Sequence, residues 1–232
     1  MIDRRFTAIN TAPDSENRMH DDEVARRYGF ERGLVPGVDV FGYMCDAFEE
    51  RYGTEWRSNG WGELRLIRPF YEGEIAIVRG NESDVAACGE DGGVRATLRI
   101  GVAKGSGLTI ARLPLNDPRP VASAESLAPG TVMGSYQWDL REASPRELLE
   151  AANLIFMANY VLEPWIHTAS RLQWLAAAPR AGQTIEVRAA IEELFVRKGQ
   201  PLVRFTVVYS TDGTPLLRVD HTAIWRYSQA TS

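Results

Sequence analysis

A lone histidine and a proline-glycine pair give the N-terminal part of the chain its chemical character. His20 follows Asn17 closely, and Pro36 and Gly37 precede a segment that favours a long helix. Histidine can accept or donate a proton near neutral pH. The backbone amides at the start of a helix attract an oxygen that carries developing negative charge. The stretch therefore predicts a proton-transfer group close to a carbonyl-binding helix N-terminus.

The same residues also have purely structural interpretations. The ring of His20 could bond to the backbone near Asp21 and Asp22, at the start of a short helix. Asn17 is an ordinary turn former. Asp22 suits the first turn of a helix because it complements the helix dipole. Both interpretations stay open from these residues alone.

The two other histidines carry weaker signals. His221 lies two residues after Val219 on a predicted strand, so both side chains are on the same face. This indicates a hydrogen-bonded histidine within a sheet. His167 follows the second predicted helix, where it could line a tunnel or cap the helix. The histidines lack metal-ligand spacing, and Cys45 and Cys88 are too few for a thiolate site, so we predict no metal.

Two helices are predicted to position these groups. Apolar residues recur at three- and four-residue steps over residues 38–52, and Gly53 is suited to end that helix. Residues 145–162 form the second predicted helix. It begins with a capping box, in which Ser144 and Glu147 bond reciprocally to backbone amides.

Matching segments at a fixed spacing indicate a duplication. Gly73 and Gly182 introduce similar segments 109 residues apart, and residues 94–98 resemble residues 203–207 at the same spacing of 109. Glycine-rich turns at 91–93 and 211–213 predict hairpins. The predicted strands cover residues 61–69, 74–80, 94–102 and 109–113 in the first half and 170–175, 184–194, 202–210 and 216–227 in the second.

The repeat predicts an α+β protein in which each half is an antiparallel sheet wrapped around its own central helix. The halves cover residues 1–115 and 136–232, and residues 116–135 connect them. Shifting His20 by the repeat spacing reaches Pro129, which has no histidine near it. We therefore expect the second half to be structural and each chain to have one site.

Composition narrows the classes of partner and compartment. The formal net charge is -5, with both signs interspersed, so no basic stripe is available for nucleic acid. The least polar run, residues 154–166, is shorter than the roughly 20 residues of a membrane span. Because the chain begins without an apolar signal segment, we expect a cytoplasmic protein without membrane association. Each half covers a sheet edge of the other, which favours a monomer or a homodimer.

Residues 17–37 resemble the MaoC-like family of R-specific enoyl-thioester hydratases and dehydratases. Asn17, Met19 and His20 correspond to the family's Asn-Pro-apolar-His segment, and residues 34–37 correspond to its entry into the central helix. Arg68-Pro69 with Gly73 also resembles the strand that follows this helix. The resemblance implies the hotdog fold, and the whole chain is similar to a double-hotdog member in which two halves replace a homodimer.

The resemblance also implies a site for acyl thioesters of coenzyme A or acyl carrier protein, with no separate cofactor. The family pattern has an aspartate five residues before the histidine, where this chain has Ser15, and Asp14 stands one position earlier. The expected catalytic residues are His20, Asp14 and Asn17, and the expected substrate-binding residues are Ser15, Gly37 and Val38.

Three functions are consistent with this resemblance. The first is a lyase, a hydratase or dehydratase acting on a 2-enoyl or 3-hydroxyacyl thioester. The second is a thioesterase on the same scaffold, and the third is a non-catalytic acyl-binding protein, suggested by Ser15 in the aspartate position. In each case, large side chains of the second half are expected to shape an acyl tunnel; they are Phe156, Tyr160, Trp165 and Trp174.

Overall fold

Ten antiparallel strands form one continuous sheet within residues 1–103 and 105–228, the residues that the computed structural model describes. The strands are β1 Ile2–Thr7, β2 Gly60–Leu66, β3 Ile75–Gly80, β4 Asp84–Cys88, β5 Val94–Val102, β6 Tyr136–Asp139, β7 Ile166–Trp174, β8 Thr184–Arg197, β9 Gln200–Thr211 and β10 Thr214–Ile224. The helices are α1 Asp22–Arg27, α2 Gly37–Tyr52, α3 Trp56–Asn59 and α4 Pro145–Asn159, and Arg18–His20 form a single 3-10 turn.

The order of the strands is the same in the two halves of the sheet. Across the sheet the order is β1-β3-β4-β5-β2-β7-β10-β9-β8-β6. Read outward from the centre, each half presents the strand after its long helix first, then its last, fourth and third strands, and finally the strand that precedes the helix. The halves join where β2 pairs with β7, and Leu64 lies opposite Ser170 there.

The two long helices pack against the strands of their own half and against each other. Phe41 and Met44 of α2 and Leu148 and Phe156 of α4 are fully buried in one core that extends through both halves. Gly42 permits the close crossing of the helices, because a Cβ at this position would lie 3.3 Å from Cβ of Arg146. Burial of these apolar faces, rather than helix propensity, holds the helices in place.

One of the two matches that suggested the duplication is structurally equivalent. Gly73 and Gly182 both have a φ of 80° and introduce the equivalent strands β3 and β8. The second match is wrong, because residues 94–98 lie in β5 whereas residues 203–207 lie in β9, whose counterpart is β4. Strands β8 and β9 have 14 and 12 residues, against 6 and 5 in β3 and β4. Because the β8–β9 hairpin is longer than the β3–β4 hairpin, equivalent residues after it are more than 109 positions apart.

The connection between the outer strand and the long helix differs greatly between the halves. Residues 8–36 connect β1 to α2, whereas only residues 140–144 connect β6 to α4. The longer connection contains α1 and the turn that ends at His20. The second half therefore has no counterpart of the segment that carries the predicted site.

Most strand predictions agree with the structure, and the exceptions are short or exposed. The predicted strand at 109–113 is wrong, since these residues lie outside the ladders and contact the chain through bonds such as that from the Ser135 amide to the Leu113 carbonyl, 2.8 Å. Strands β1, β4 and β6 were not predicted. Strands β1 and β6 lie at the sheet edges, where β1 exposes four of its six residues and β6 two of its four, so the two-residue apolar pattern is weak.

Helix α4 ends at Asn159, three residues before the predicted end. The Asn159 side chain accepts from the Gly134 amide at 2.6 Å and donates to the Gly134 carbonyl at 2.9 Å, which ties the helix end to the strand-like segment before β6. The last residues of the predicted second half, 229–232, lie outside the described residues. None of the helices in the described ranges has the length and apolar character that a membrane span needs.

The start of α4 shows a different cap from the predicted capping box. Ser144 accepts from the Glu147 amide as expected, at 3.2 Å. The Glu147 carboxylate instead accepts from the amides of Arg141, Glu142 and Ala143 at 2.7 to 2.9 Å. Burial raises the pKa of this carboxyl, but the three amides outweigh burial and hold the pKa below its ordinary value.

We expect Glu147→Ala to destabilise the fold by about 3 kcal/mol, because three amides before the helix, one of them buried, lose a charged acceptor. Urea denaturation at neutral pH measures this free energy. Glu147→Gln is the matched control and should lose less stability, because its amide oxygen still accepts hydrogen bonds from the backbone amides. Equal losses in the two variants would contradict the role assigned to the carboxylate.

Candidate functional site

A cavity of about 270 Å³ opens at the junction of the two halves. It lies between the N-terminus of α2, the loop after β2 and the segment that enters β7. Most of its lining is apolar, and the polar residues are few, as in many small-molecule sites. The polar lining residues are Asn17, His20, Arg68, Asn153, His167, Thr168 and, through its hydroxyl, Tyr227.

The ring of His20 is oriented by the carbonyl that precedes the entry into α2. Its Nδ1 lies 2.7 Å from the Leu34 carbonyl oxygen, so Nδ1 donates and carries the proton of the neutral ring. Nε2 then keeps its lone pair and lies 3.4 Å from Nδ2 of Asn17. The structural interpretation that placed this bond near Asp21 is therefore wrong, and the unprotonated nitrogen, which accepts from Asn17, belongs to a residue that lines the cavity.

Asn17 fastens this segment to the other half of the chain. Its Oδ1 accepts from the amides of Met19 and Trp165, both at 3.3 Å, and its Nδ2 donates to the Trp165 carbonyl at 3.1 Å. The side chain is buried. Asn17 therefore forms the predicted turn and also fixes the position of the cavity wall from the second half.

The residues after His20 hold the long connection in shape. Asp21 caps α1 by accepting from the Val24 amide at 2.9 Å, and Asp22 accepts from the Gly33 amide at 2.8 Å. Gly33 is required by close approach, because a Cβ there would collide with the His20 carbonyl. These bonds bring the chain back beside His20 before it enters α2.

Burial controls the protonation of His20. Burial lowers the pKa of His20 below its ordinary value of 6.5, and this effect is larger than the opposing effects of the Leu34 carbonyl and the Asp39 carboxylate. The ring is therefore neutral at pH 7. A neutral ring with Nδ1 protonated is suited to accept a proton at Nε2.

The first amides of α2 are available to a ligand. Pro36 occupies the N-cap position and supplies no side-chain acceptor, and the amides of Gly37 and Val38 have no hydrogen-bond partner in the described part of the chain. Gly37 lines the cavity, whereas Val38 does not. A Cβ at Gly37 would collide with Leu66 and lie 3.2 Å from Nδ1 of His167. Glycine therefore keeps the space at the helix N-terminus open.

The structure does not bring the predicted carboxylate into the cavity. Asp14 is exposed, and Ser15 donates its hydroxyl to the Asn17 carbonyl at 3.1 Å; neither residue lines the cavity. Asp39 is buried nearby in α2, but its oxygens accept from Arg146 Nε and Thr11 Oγ1, both at 2.6 Å. Within residues 1–103 and 105–228, no Asp or Glu lines the cavity.

Two histidines that the sequence left separate lie together beneath the cavity. The rings of His167 and His221 stack at 4.1 Å between centroids, and the Ser170 hydroxyl lies 2.9 Å from both Nε2 of His167 and Nδ1 of His221. Nδ1 of His167 and Nε2 of His221 have no partner among the described residues. His221 is therefore only partly satisfied within the sheet.

Burial also decides the charge of this pair. It lowers the pKa of His167 to about 3, against a smaller opposing contribution from the backbone of Ala169. Burial, and then the neighbouring His167, lower the pKa of His221 well below its ordinary value. Both rings are neutral at physiological pH.

The second half contributes differently to the cavity than the sequence suggested. Of the four predicted tunnel residues only Trp165 lines the cavity, whereas Phe156, Tyr160 and Trp174 are buried in the core. Asn153, which was not predicted, lines the cavity from α4. Its signal in the sequence was a polar residue within an otherwise apolar helix segment.

The described residues contain no group of three or more His, Cys, Asp or Glu side chains that could hold a metal ion. Cys45 and Cys88 are both buried free thiols. Burial raises the pKa of Cys45 well above its ordinary value, which keeps this thiol protonated.

Comparison with solved structures identifies the fold. A protein described as a MaoC domain dehydratase from Chloroflexus aurantiacus J-10-fl is similar with a TM-score of 0.62 and 12% identity, over 98% of this chain and 96% of that one. A protein described as an oleoyl thioesterase from Lactobacillus plantarum is similar with a TM-score of 0.59 and 13% identity, over 98% and 97%.

A third similar structure is a protein of unknown function with the hotdog fold from Alicyclobacillus acidocaldarius. Its TM-score is 0.54 at 13% identity, over 86% of this chain and 89% of that one. The sequence matches no protein-family model and no curated protein. The chain therefore has the hotdog fold, and at these identities the likeness extends to the fold alone.

The buried His167 should make the protein sensitive to acid. Its pKa is lower folded than unfolded, so the unfolded chain binds the proton first, and stability falls as the pH decreases from 6.5 towards about 3. We expect His167→Phe to reduce the slope of unfolding free energy against pH by up to about 1.4 kcal/mol per unit. Urea denaturation between pH 7 and 4 measures it. Arg18→Ala is the control, and a wild-type slope in His167→Phe would refute the expectation.

Proposed function

We propose that the protein is a hydratase or dehydratase that acts on a 2-enoyl or 3-hydroxyacyl thioester. One observation carries the proposal: Nε2 of His20 keeps its lone pair in the same cavity as the Gly37 N-terminus of α2, whose first amides have no partner in the described residues. A proton acceptor and a carbonyl site in one mainly apolar cavity are the two requirements of this chemistry.

In the proposed hydration, the thioester carbonyl accepts a hydrogen bond from the Gly37 amide. Nε2 of His20 takes a proton from water as the water oxygen bonds to C3, and the electron pair of the double bond moves to the carbonyl as an enolate. The His20 cation then returns a proton to C2, so protons balance with one imidazole. Dehydration follows the reverse sequence.

Asn17 is a positioning residue in this scheme, because its amide lies beside Nε2 of His20 and its oxygen holds Trp165. Asp14 has no role in the scheme because it is exposed and lies outside the cavity lining. The single acid-base group distinguishes the proposal from a paired His-Asp mechanism.

We also propose that the chain is a double hotdog with halves at 1–115 and 136–232, joined by residues 116–135. The equivalent strand orders support this division. The site lies between the halves, so one chain completes a site, and a monomer or a homodimer of such chains would be active.

The acyl carrier is proposed to remain at the cavity mouth. Exposed Arg68 lines the cavity, and its guanidinium offers donors suited to a phosphate. Coenzyme A and acyl carrier protein both present a phosphate with their pantetheine arm, so either carrier fits this group. No cofactor beyond the carrier is part of the proposal.

A thioesterase is the second candidate. The lack of a carboxylate among the described lining residues favours it, because a lone neutral histidine could direct water to the carbonyl carbon rather than to C3. The similar structure described as an oleoyl thioesterase is compatible with this candidate. The two reactions share the carbonyl site and differ in the atom that water attacks.

We expect His20→Ala to lower kcat by at least about 100-fold, because general acid-base catalysis contributes roughly 10² to 10⁴. Loss of enoyl-thioester absorbance measures hydration, and release of a free thiol measures hydrolysis on the same substrates. Arg18→Ala is the matched control, since Arg18 lies on the same turn, is half-exposed and forms an ion pair with Asp21 at the surface.

The two assays separate the candidates. Absorbance loss without free thiol supports the hydratase, and free thiol from saturated acyl thioesters supports the thioesterase. Wild-type activity in His20→Ala would refute both. Binding of acyl thioesters without turnover in either assay would favour the non-catalytic acyl-binding protein.

The lowered pKa of His20 predicts the pH dependence. The base form is required, so kcat/KM should fall as the pH decreases through the pKa of His20, which lies below 6.5. Activity should therefore reach its plateau as the pH rises above this pKa. A pH profile with a stable substrate measures the acidic limb, and a limb centred above pH 7 would contradict the protonation assigned to His20.

A further inference from the structure

His167 offers the cavity a second polar group from the opposite half of the chain. The side chain is 7% exposed, lines the cavity and belongs to β7, whereas α2 belongs to the first half. Its Nδ1 has no partner among the described residues and lies 3.2 Å from the position that a Cβ of Gly37 would occupy. The unpartnered nitrogen therefore faces the space at the N-terminus of α2.

The hydrogen bonds through Ser170 link the tautomers of the two histidines. The Ser170 hydroxyl has one proton, so it donates to one ring and accepts from the other. If His167 donates from Nε2, its Nδ1 is a bare acceptor and the Nε2 of neutral His221 carries a proton. If His221 donates from Nδ1, the Nδ1 of His167 carries the proton and the Nε2 of His221 is bare.

The surroundings of His221 favour the second arrangement. Its Nε2 is buried without a partner among the described residues, and its ring lies against Phe205 at 5.0 Å between centroids. A buried N–H without an acceptor is rarer and costlier than a buried acceptor without a donor. Nδ1 of His167 also lacks a partner among the described residues, but His167 lines the cavity, where a ligand can accept from it, whereas His221 does not line the cavity. The N–H is therefore assigned to Nδ1 of His167, and the bare nitrogen to His221.

We propose that Nδ1–H of His167 donates a hydrogen bond to the thioester carbonyl, so that the carbonyl is held by both halves of the chain. The Gly37 amide supplies one donor and His167 supplies the other. The proposal rests on the proposed acyl-thioester site for its substrate class. It holds for hydration and for hydrolysis, because negative charge develops on the same oxygen in both.

The histidine works as a fixed donor in this role. It transfers no proton, so the reaction leaves the tautomer of His167 unchanged. A neutral imidazole is suited to this role because it polarises a carbonyl without giving up its proton. Ser170 and His221 are positioning residues, since they fix the tautomer without touching the substrate.

A pair of inert pantetheine ligands tests the hydrogen bond. One carries an acyl ketone, with CH₂ in place of the thioester sulfur, and the other carries an alkyl thioether without a carbonyl. We expect His167→Phe to weaken binding of the ketone by about tenfold, as loss of one buried hydrogen bond implies. The affinity for the thioether should stay within twofold of that of the wild type. The carbonyl stretching band of the bound ketone should move to higher frequency in His167→Phe.

Ser170→Ala provides a matched second variant that keeps the imidazole and removes its orientation. We expect a carbonyl band between those of wild type and His167→Phe. An unchanged band in His167→Phe overturns the inference while leaving the acyl site intact. Failure of the wild type to bind either ligand overturns the proposed function together with the inference.

The tautomer itself can be measured in the unmodified protein, independently of whether the variants fold. Nitrogen chemical shifts of ¹⁵N-labelled histidine rings distinguish a protonated nitrogen from a bare one. We expect a neutral His167 with Nδ1 protonated at pH 7. A neutral ring with Nε2 protonated overturns the inference.

Discussion

The site depends on one buried amide side chain. Asn17 pairs with both backbone polar groups of Trp165 and with the Met19 amide, so three buried groups find partners through a single residue. Buried backbone groups without partners are costly, which gives the contact a strong reason to form. Because Asn17 also lies beside His20, the bond that closes the junction between the halves sets the position of the His20 ring.

Local patterns predicted much of the fold. The apolar spacing of residues 38–52 predicted α2, and glycine turns located the hairpins β4–β5 and β9–β10. The pattern failed where a strand meets solvent or is short, as in β1 and β6. The repeat spacing failed after β8, because strands can lengthen together in a hairpin without disturbing their neighbours. A constant spacing between repeats cannot predict where two paired strands lengthen together.

Only those residues of the candidate site that lie close together in the sequence were predictable. Asn17, His20 and Gly37 lie in one short stretch, so their spacing carried information. His167 lines the same cavity although it lies 130 residues after Gly37 in the chain, and the contact of Asn17 with Trp165 spans 148 positions. No periodicity encodes such a distance. Asp14 was chosen by its spacing from His20, but the irregular connection before the 3-10 turn leaves it exposed.

Because the connections before the two long helices differ in length, the two halves contribute different parts of the cavity. The 8–36 connection carries His20, while Asn153, Ile224 and Tyr227 of the second half shape the cavity wall without belonging to that connection. Substitutions at these wall positions alter the volume and polarity offered to a ligand, and they leave the bonds of His20 intact. The volume and polarity of the cavity can therefore change through substitutions in one half, while His20 and its bonds are preserved in the other.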